Sequence, residues 1–179
     1  WTLNNTGAKP AQIVGSPSLL FDGAAHYLQA AFTVNQPNAF IGVAKQISWT
    51  AGDRLWDGFT ENTGAFIQQN NSLSGVSPNL TQYAGGFGGQ DLTNATLGSY
   101  HILTAIFHGV SSSVQVDANS AGAGSAGINI TDGASLGASG APTSFSNIQL
   151  KEFIILSEHP SAAKLAQIQA LLKQIHGTP

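Results

Sequence analysis

The chain lacks cysteine and methionine and carries few charged residues. Of its 179 residues, 8% are Asp, Glu, Lys or Arg, against about 25% in an average soluble domain. The absence of cysteine excludes disulfides, thiolate nucleophiles, zinc–thiolate sites and iron–sulfur clusters. Six basic and nine acidic side chains give a net charge of −3, which argues against nucleic acid or an anionic membrane as a partner.

Long apolar runs are also missing from the sequence. No stretch approaches the roughly 18 apolar residues of a membrane-spanning helix, and the N-terminal residues lack the basic and then apolar order of a signal peptide. The length suits one domain with a sizeable core, so we expect a single soluble domain over residues 1–179. Because the chain begins at Trp1 instead of Met, we expect it to be processed or to be one piece of a longer polypeptide.

Most of the sequence consists of short apolar stretches separated by Gly, Asn and Ser, which is typical of strands joined by turns. Apolar side chains alternate between two faces in several of these stretches, and the sequence predicts strands at 39–47, 53–56, 65–69, 80–84, 100–108, 113–117 and 147–156. The small residues of 118–127 predict an exposed loop, and the Gly-rich segment 85–89 predicts a mobile loop or a bend.

The C-terminal segment has a different pattern. Apolar residues follow the i, i+3, i+4 spacing of an amphipathic helix, at Leu165, Ile168, Leu171, Leu172 and Ile175. Ser161 is a natural N-cap and Gly177 a natural end, so the helix is predicted at about 161–176. With strands from about 10 to 156, the sequence predicts an all-β fold of two antiparallel sheets with one C-terminal amphipathic α-helix.

Three stretches together indicate a family. Residues 18–30 read SLLFDGAAHYLQA, residues 97–118 read LGSYHILTAIFHGVSSSVQVDA, and residues 148–177 contain a strand, a Ser-capped helix and a terminal Gly. Their order and spacing resemble those of concanavalin A-like, laminin-G-like jelly-roll domains, although Tyr100 and Ala118 stand where the family usually has Trp and Gly. The resemblance implies a jelly roll of two curved sheets. It also implies one of the functions found in this family, which are those of lectins, adhesion modules, glycan-binding modules and phage fibre domains. Some members of the family are polysaccharide-degrading enzymes.

The sequence does not support catalysis by this fold. Glycosidases need two carboxyl groups at a defined separation, and jelly-roll hydrolases take them from a Glu-x-Asp-x-(x)-Glu strand. The three glutamates, Glu61, Glu152 and Glu158, do not lie in such a pattern. Residues 174–176 match a Gln-Ile-His motif of polysaccharide lyases, but they fall on the predicted helix without the other lyase motifs. We therefore expect no enzyme activity and no catalytic residue.

The segment 49–62 concentrates the residue types of a sugar-binding site. It holds two of the three tryptophans, the single arginine and three of the nine acidic residues. Glycan sites stack an aromatic ring on the sugar and surround it with side chains that bond hydroxyls. The candidate glycan ligands are Trp49, Asp53, Arg54, Trp56, Asp57, Asn62 and Tyr83, with Glu61 and Gln82 beside them. The alternative is that Trp56 belongs to the core and that Asp53 and Arg54 form an ordinary turn ion pair.

We expect no cofactor, with calcium as the open alternative. Laminin-G-like domains often bind calcium at a loop rim, and Asp22 and Asp117, with Asp132, are the candidate metal ligands. His101 and His108 have opposite strand parity, so they do not share one metal.

The expected function is a non-catalytic, lectin-like recognition or adhesion domain that binds cell-surface carbohydrate. The expected location is extracellular or on the virion surface, within a secreted protein or a virion appendage, beside other virion or parent-protein subunits. A purely structural virion module is an alternative, such as a capsid decoration or fibre subunit. Since few charges need desolvation, the surface suits packing against copies of itself, and we expect a homo-oligomer. A polysaccharide-degrading enzyme is the remaining alternative.

Overall fold

The structure, a computed structural model, describes residues 10–12, 17–69, 79–91, 95–119 and 121–178. In these ranges the chain forms two antiparallel sheets and one α-helix. The seven-stranded sheet has, in spatial order, β1 (Ala11–Gln12), β2 (Leu19–Asp22), β13 (Asn147–Leu156), β4 (Asn38–Gln46), β9 (Tyr100–Phe107), β10 (Ser112–Val116) and β11 (Gly122–Gly124). The six-stranded sheet has β3 (Leu28–Val34), β12 (Thr131–Leu136), β5 (Arg54–Asp57), β6 (Ala65–Gln69), β7 (Asn79–Tyr83) and β8 (Phe87–Asp91).

The main core fills the space between the two sheets. Alternation along β9 turns Leu103, Ala105 and Phe107 into this layer, as the sequence pattern predicts. Phe40 packs edge-on against Phe107, with ring centroids 5.8 Å apart. The predicted sandwich of two antiparallel sheets is confirmed.

The α-helix α1 (Ala162–His176) covers the outer face of the seven-stranded sheet. Its Leu172 packs against Ile41, Val43 and Ile102, the outward-facing residues of β4 and β9. The Ser161 hydroxyl accepts the N–H of Lys164 at 3.2 Å at the start of the helix, and Gly177 ends it in the left-handed conformation with φ 62°. The predicted helix and both of its caps are confirmed. The helix in the described part of the chain is too short or too polar to cross a membrane.

Two segments predicted as loops or bends are strands in part. Residues 122–124 of the segment 118–127 form β11, which pairs with β10, and the Gly-rich segment 85–89 leads into β8. A Cβ added at Gly88 would lie 2.4 Å from the backbone nitrogen of Ala126, so this strand passes the 125–127 segment at a distance that only glycine allows. Glycine here serves close packing of two backbones. The loop prediction is wrong for 87–89 and for 122–124, whereas the predicted bend between strands is present at 85–86.

Candidate functional site

Trp56 belongs to the core and cannot stack on a sugar. Its side chain is 1% exposed, and its ring stacks on Phe66 with centroids 4.5 Å apart. Phe153 packs edge-on against the same ring at 5.3 Å. The β5 strand turns Trp56 toward the opposite sheet, so no ring face is left for a ligand. The prediction of Trp56 as a glycan ligand is wrong, and the core alternative is correct.

Asp57 is also buried, and it organises the loop that follows β5. The residue is 0% exposed, and its carboxylate accepts the backbone N–H of Gly58 at 2.7 Å and of Asn62 at 3.0 Å. Gly140 donates to it from a second loop at 3.3 Å. Burial raises the pKa of Asp57, although these N–H groups and the Arg54 guanidinium act in the opposite direction. A carboxylate enclosed in this way holds two loops together and does not reach a sugar.

Arg54 stands at the edge of the same network and links it to more exposed side chains. Its Nη2 donates to Asn62 Oδ1 at 3.1 Å and lies 3.7 Å from Glu61 Oε1. Its Nε lies 3.9 Å from Asp57 Oδ2. Arg54 therefore pairs with Asp57 and Glu61, and not with Asp53 as the turn alternative predicted, among the described residues. Asp53 lies directly before β5, where burial raises its pKa. Arg54, Glu61 and Asn62 are brought together as predicted.

Asn129 extends this group to a neighbouring turn. Its Nδ2 donates to the backbone oxygen of Asn62 at 3.3 Å. Its Oδ1 lies 2.9 Å from the position of a Cβ added at Gly85, so the amide rests directly on that glycine. The backbone N–H of Asn129 also donates to the oxygen of Ala84 at 2.8 Å. Asn129 is not among the predicted glycan ligands.

The turn around Gly85 carries an exposed aromatic pair. Tyr83 of β7 and Phe87 of β8 are paired residues, and their rings meet edge to face with centroids 4.8 Å apart. Phe87 is 64% exposed, which is unusual for a large apolar ring. We call Asn62, Tyr83, Phe87 and Asn129 the aromatic–amide surface.

The strand register determines which predicted residues reach this surface. Arg54 pairs with Ile67 and Ile67 with Thr81, so Tyr83, two residues further along β7, shares the sheet face of Arg54. Gln82 points to the other face, where it is 0% exposed, so the prediction that it lies beside the glycan ligands is wrong. Phe87 was not predicted because it lies in the Gly-rich segment interpreted as a loop.

Trp49 lies between β4 and β5, where it is half-buried. Its indole Nε1 is buried without a hydrogen-bond partner among the described residues. The described contacts do not bring this ring to the aromatic–amide surface, and its role as a glycan ligand stays a prediction.

The three aspartates considered for calcium bind N–H and O–H groups instead. Asp22 Oδ1 accepts three backbone N–H groups of the turn after β2, at 2.9–3.0 Å. Asp117 contacts the ring of His101 at 2.6 Å and accepts the N–H of Ile102 at 2.8 Å. Asp132 accepts from Thr60 at 3.0 Å and from the Thr63 hydroxyl at 2.8 Å.

These aspartates do not form the predicted metal site, because their carboxylates accept hydrogen bonds from the protein and because Asp22 and Asp117 are far apart. Three strands separate β2 from β10, so Asp22 and Asp117 are roughly 19 Å apart across the sheet at about 4.8 Å per strand. Among the described residues, no three His, Asp or Glu side chains are grouped so as to hold a metal ion. The structure gives Asp22 and Asp117 the role of closing turns in place of the predicted metal ligation.

Comparison with known proteins gives relatives by structure alone. No protein-family profile and no curated sequence matches the chain. Among solved structures, a Trypanosoma rangeli sialidase in complex with sialic acid matches with a TM-score of 0.63 and 13% identity, covering 96% of this chain and 30% of that one. The native heptameric SAP-like pentraxin from Limulus polyphemus matches with a TM-score of 0.64 and 11% identity, covering 85% and 81%. These likenesses show the fold.

A third match is a mutant GH54 arabinofuranosidase, with a TM-score of 0.64, 9% identity, and coverage of 86% of this chain and 40% of that one. The chain spans 30% of the length of the sialidase and 40% of the arabinofuranosidase. Together the three matches support the two-sheet β-sandwich fold. At identities of 9–13% they assign no activity to this chain.

Proposed function

We propose that the protein is a non-catalytic, lectin-like domain that binds carbohydrate through the aromatic–amide surface. The observation that carries the proposal is Phe87, a largely exposed ring in edge-to-face contact with Tyr83, with the side-chain amide of Asn129 resting on the same turn at Gly85. The two rings meet at a steep angle, and Phe87 remains 64% exposed, so much of its ring is open to solvent. Such a ring suits the apolar C–H side of a pyranose.

The polar groups beside the ring supply the second half of sugar recognition. Asn129 and Asn62 each carry an amide that donates and accepts, which matches the donor and acceptor character of a sugar hydroxyl. The Arg54 guanidinium, bonded to Asn62, adds a positive charge at one end of the surface. This combination favours a sugar whose hydroxyls, or a carboxylate, lie beside its apolar face.

Binding without catalysis is part of the same proposal. Glycosidic cleavage needs two carboxyl groups facing each other across the bond. Asp57 and Asp132 near this surface are instead bound by loop N–H and hydroxyl groups, and Glu61 is drawn to Arg54. The proposal places the protein outside the cell or on a virion surface, where carbohydrate is met, with self-association as an accompanying expectation.

The test is a screen of the purified chain on a broad glycan array, repeated with calcium and with EDTA. Phe87→Ala and Asn129→Ala remove the ring and the amide. Val110→Ala is the matched control, because Val110 is also a largely exposed apolar residue and lies outside this surface. We expect a reproducible glycan signal that falls about tenfold in Phe87→Ala and is kept in Val110→Ala, with unchanged melting temperatures.

Two results would contradict the proposal. A glycan signal that survives Phe87→Ala and Asn129→Ala would place the binding site elsewhere on the molecule. A blank array from folded protein would favour the structural module instead. Loss of signal with EDTA would show that a metal takes part, contrary to the turn-closing role of the described aspartates.

A further inference from the structure

Two of the five histidines stand apart from the others. Three have a carboxylate partner: His26–Asp22, His101–Asp117 and His176–Glu152. The remaining two, His108 and His159, contact each other, with ring centroids 5.2 Å apart and ring planes at 64°. Their imidazole nitrogens make no hydrogen bond or ion pair with the residues that the structure describes.

Different elements place the two rings together on fixed backbone. His108 follows β9, and its N–H donates to the Ser112 hydroxyl at 2.8 Å. His159 lies between β13 and α1, directly before the buried Pro160 and the helix N-cap Ser161. Both histidines are exposed. Because χ2 of histidine has a broad energy minimum, each ring can turn one nitrogen toward a common point without moving the backbone.

We propose that His108 and His159 bind one divalent transition-metal ion. An ion bonded to one nitrogen of each imidazole at about 2.1 Å, at a tetrahedral angle, puts the ring centres roughly 5 Å apart. The observed separation is 5.2 Å. Imidazole nitrogen suits Cu²⁺, Zn²⁺ and Ni²⁺, with Cu²⁺ bound most tightly. This inference stands independently of the glycan proposal, because neither histidine belongs to the aromatic–amide surface.

The surroundings leave room to complete the coordination. His108 lines a groove of about 710 Å³, whose other walls include the apolar side chains of Pro37, Val110 and Ile130. The neighbouring carboxylate of Glu158 is bonded to Lys164, so it does not compete for the imidazoles. Two protein ligands with water in the remaining positions make an exchangeable site and not a structural one.

The test is calorimetric titration of the full chain with CuCl₂ and with ZnCl₂ at neutral pH. The variants are His108→Gln and His159→Gln, and the matched control is His26→Gln, which removes a histidine from the Asp22 turn. We expect one ion per chain, with Cu²⁺ tighter than Zn²⁺, and at least tenfold weaker binding in either test variant. The control variant should bind as the unmodified chain does.

A second measurement identifies the ligands directly. In NMR spectra, substoichiometric Cu²⁺ should broaden the ring signals of His108 and His159 before those of the other three histidines. Absence of binding, binding by both test variants as tight as that of the unmodified chain, or simultaneous broadening of all five rings would overturn the proposal. Circular dichroism of each variant verifies that a loss of binding is not a loss of fold.

Discussion

At the scale of single residues, Asp22 closes a turn with one carboxylate oxygen. Burial opposes its ionisation, but the N–H groups of Ala25, Ala24 and His26 outweigh burial and lower the pKa of Asp22 from 3.8 to about 2. A carboxyl group whose pKa is depressed in the folded state stabilises the fold above its unfolded pKa. That stability is lost as the pH falls through the folded pKa.

We therefore expect Asp22→Asn to lower the free energy of unfolding at pH 7 by about 1 kcal/mol, a value reduced from the full pKa shift because the side chain is partly exposed. The difference from the unmodified chain should shrink as the pH falls from 3.8 to 2. Urea unfolding at a series of pH values measures it. A difference that stays constant down to pH 2 would show that the charge is not its source.

Trp56 gives a second prediction at this scale. Its ring fills the layer between the sheets against Phe66 and Phe153, so removing it leaves a large cavity. We expect Trp56→Ala to cost about 3–5 kcal/mol of unfolding free energy, and Trp56→Phe clearly less. Denaturant unfolding monitored by circular dichroism measures both. A loss below 1 kcal/mol in Trp56→Ala would contradict the core position.

At the scale of elements, the close passage of β8 depends on glycine. A Cβ at Gly88 would lie 2.4 Å from the nitrogen of Ala126, whereas one at Gly86 would lie 3.3 Å from its nearest neighbour. We expect Gly88→Ala to destabilise the fold by about 1–3 kcal/mol through backbone overlap, and Gly86→Ala to cost less. Thermal unfolding of the two variants compares them. Equal melting temperatures would mean that β8 can move away from Ala126 freely.

The sequence predicts elements well where side chains carry the pattern. The segments 39–47, 100–108 and 147–156 alternate apolar side chains and correspond to β4, β9 and β13, and the spacing of Leu165 to Ile175 corresponds to α1. β8, β11 and β12 contain glycine and small residues. They have few large apolar side chains, so an alternating pattern cannot be detected in their sequence. Their strand character comes from pairing and close packing with distant segments, which a local pattern does not contain.

The candidate site was predicted only in part for a related reason. Composition indicates that Arg54, Asn62 and Tyr83 suit a sugar ligand. Whether an aromatic ring belongs to the core or can bind a sugar depends instead on its burial. A bulge in β5 places Trp56 in the core, while a glycine-rich turn leaves Phe87 exposed. Neither outcome depends on the residue type alone.

At the scale of the whole molecule, the two sheets are joined by a polar bridge at one edge. The Gln82 amide of β7, oriented so that both its atoms are paired, donates to the oxygen of Ile106 at 3.1 Å and accepts from the N–H of Ser113 at 2.8 Å. Both partners belong to the opposite sheet. The sandwich is therefore closed at this edge by backbone-directed hydrogen bonds as well as by apolar contact.

We expect Gln82→Met, which keeps the length of the side chain, to lower the unfolding free energy by about 2 kcal/mol, because two buried backbone groups lose their partners. Chemical denaturation measures the loss, and hydrogen exchange at the Ser113 amide locates it. An unchanged exchange rate at Ser113 would show that the bridge does not protect this edge.

Gln36 connects the loops at the end of the sandwich where the aromatic–amide surface lies. Its Nε2 donates to the oxygens of Gly127 and Asn129, and its Oε1 accepts the N–H of Gly109. A surface ordered in advance loses little conformational entropy when a ligand arrives. Carbohydrate binding here should consequently be driven by enthalpy with a small entropic penalty, and cutting the Gln36 bonds should weaken it by making that penalty larger.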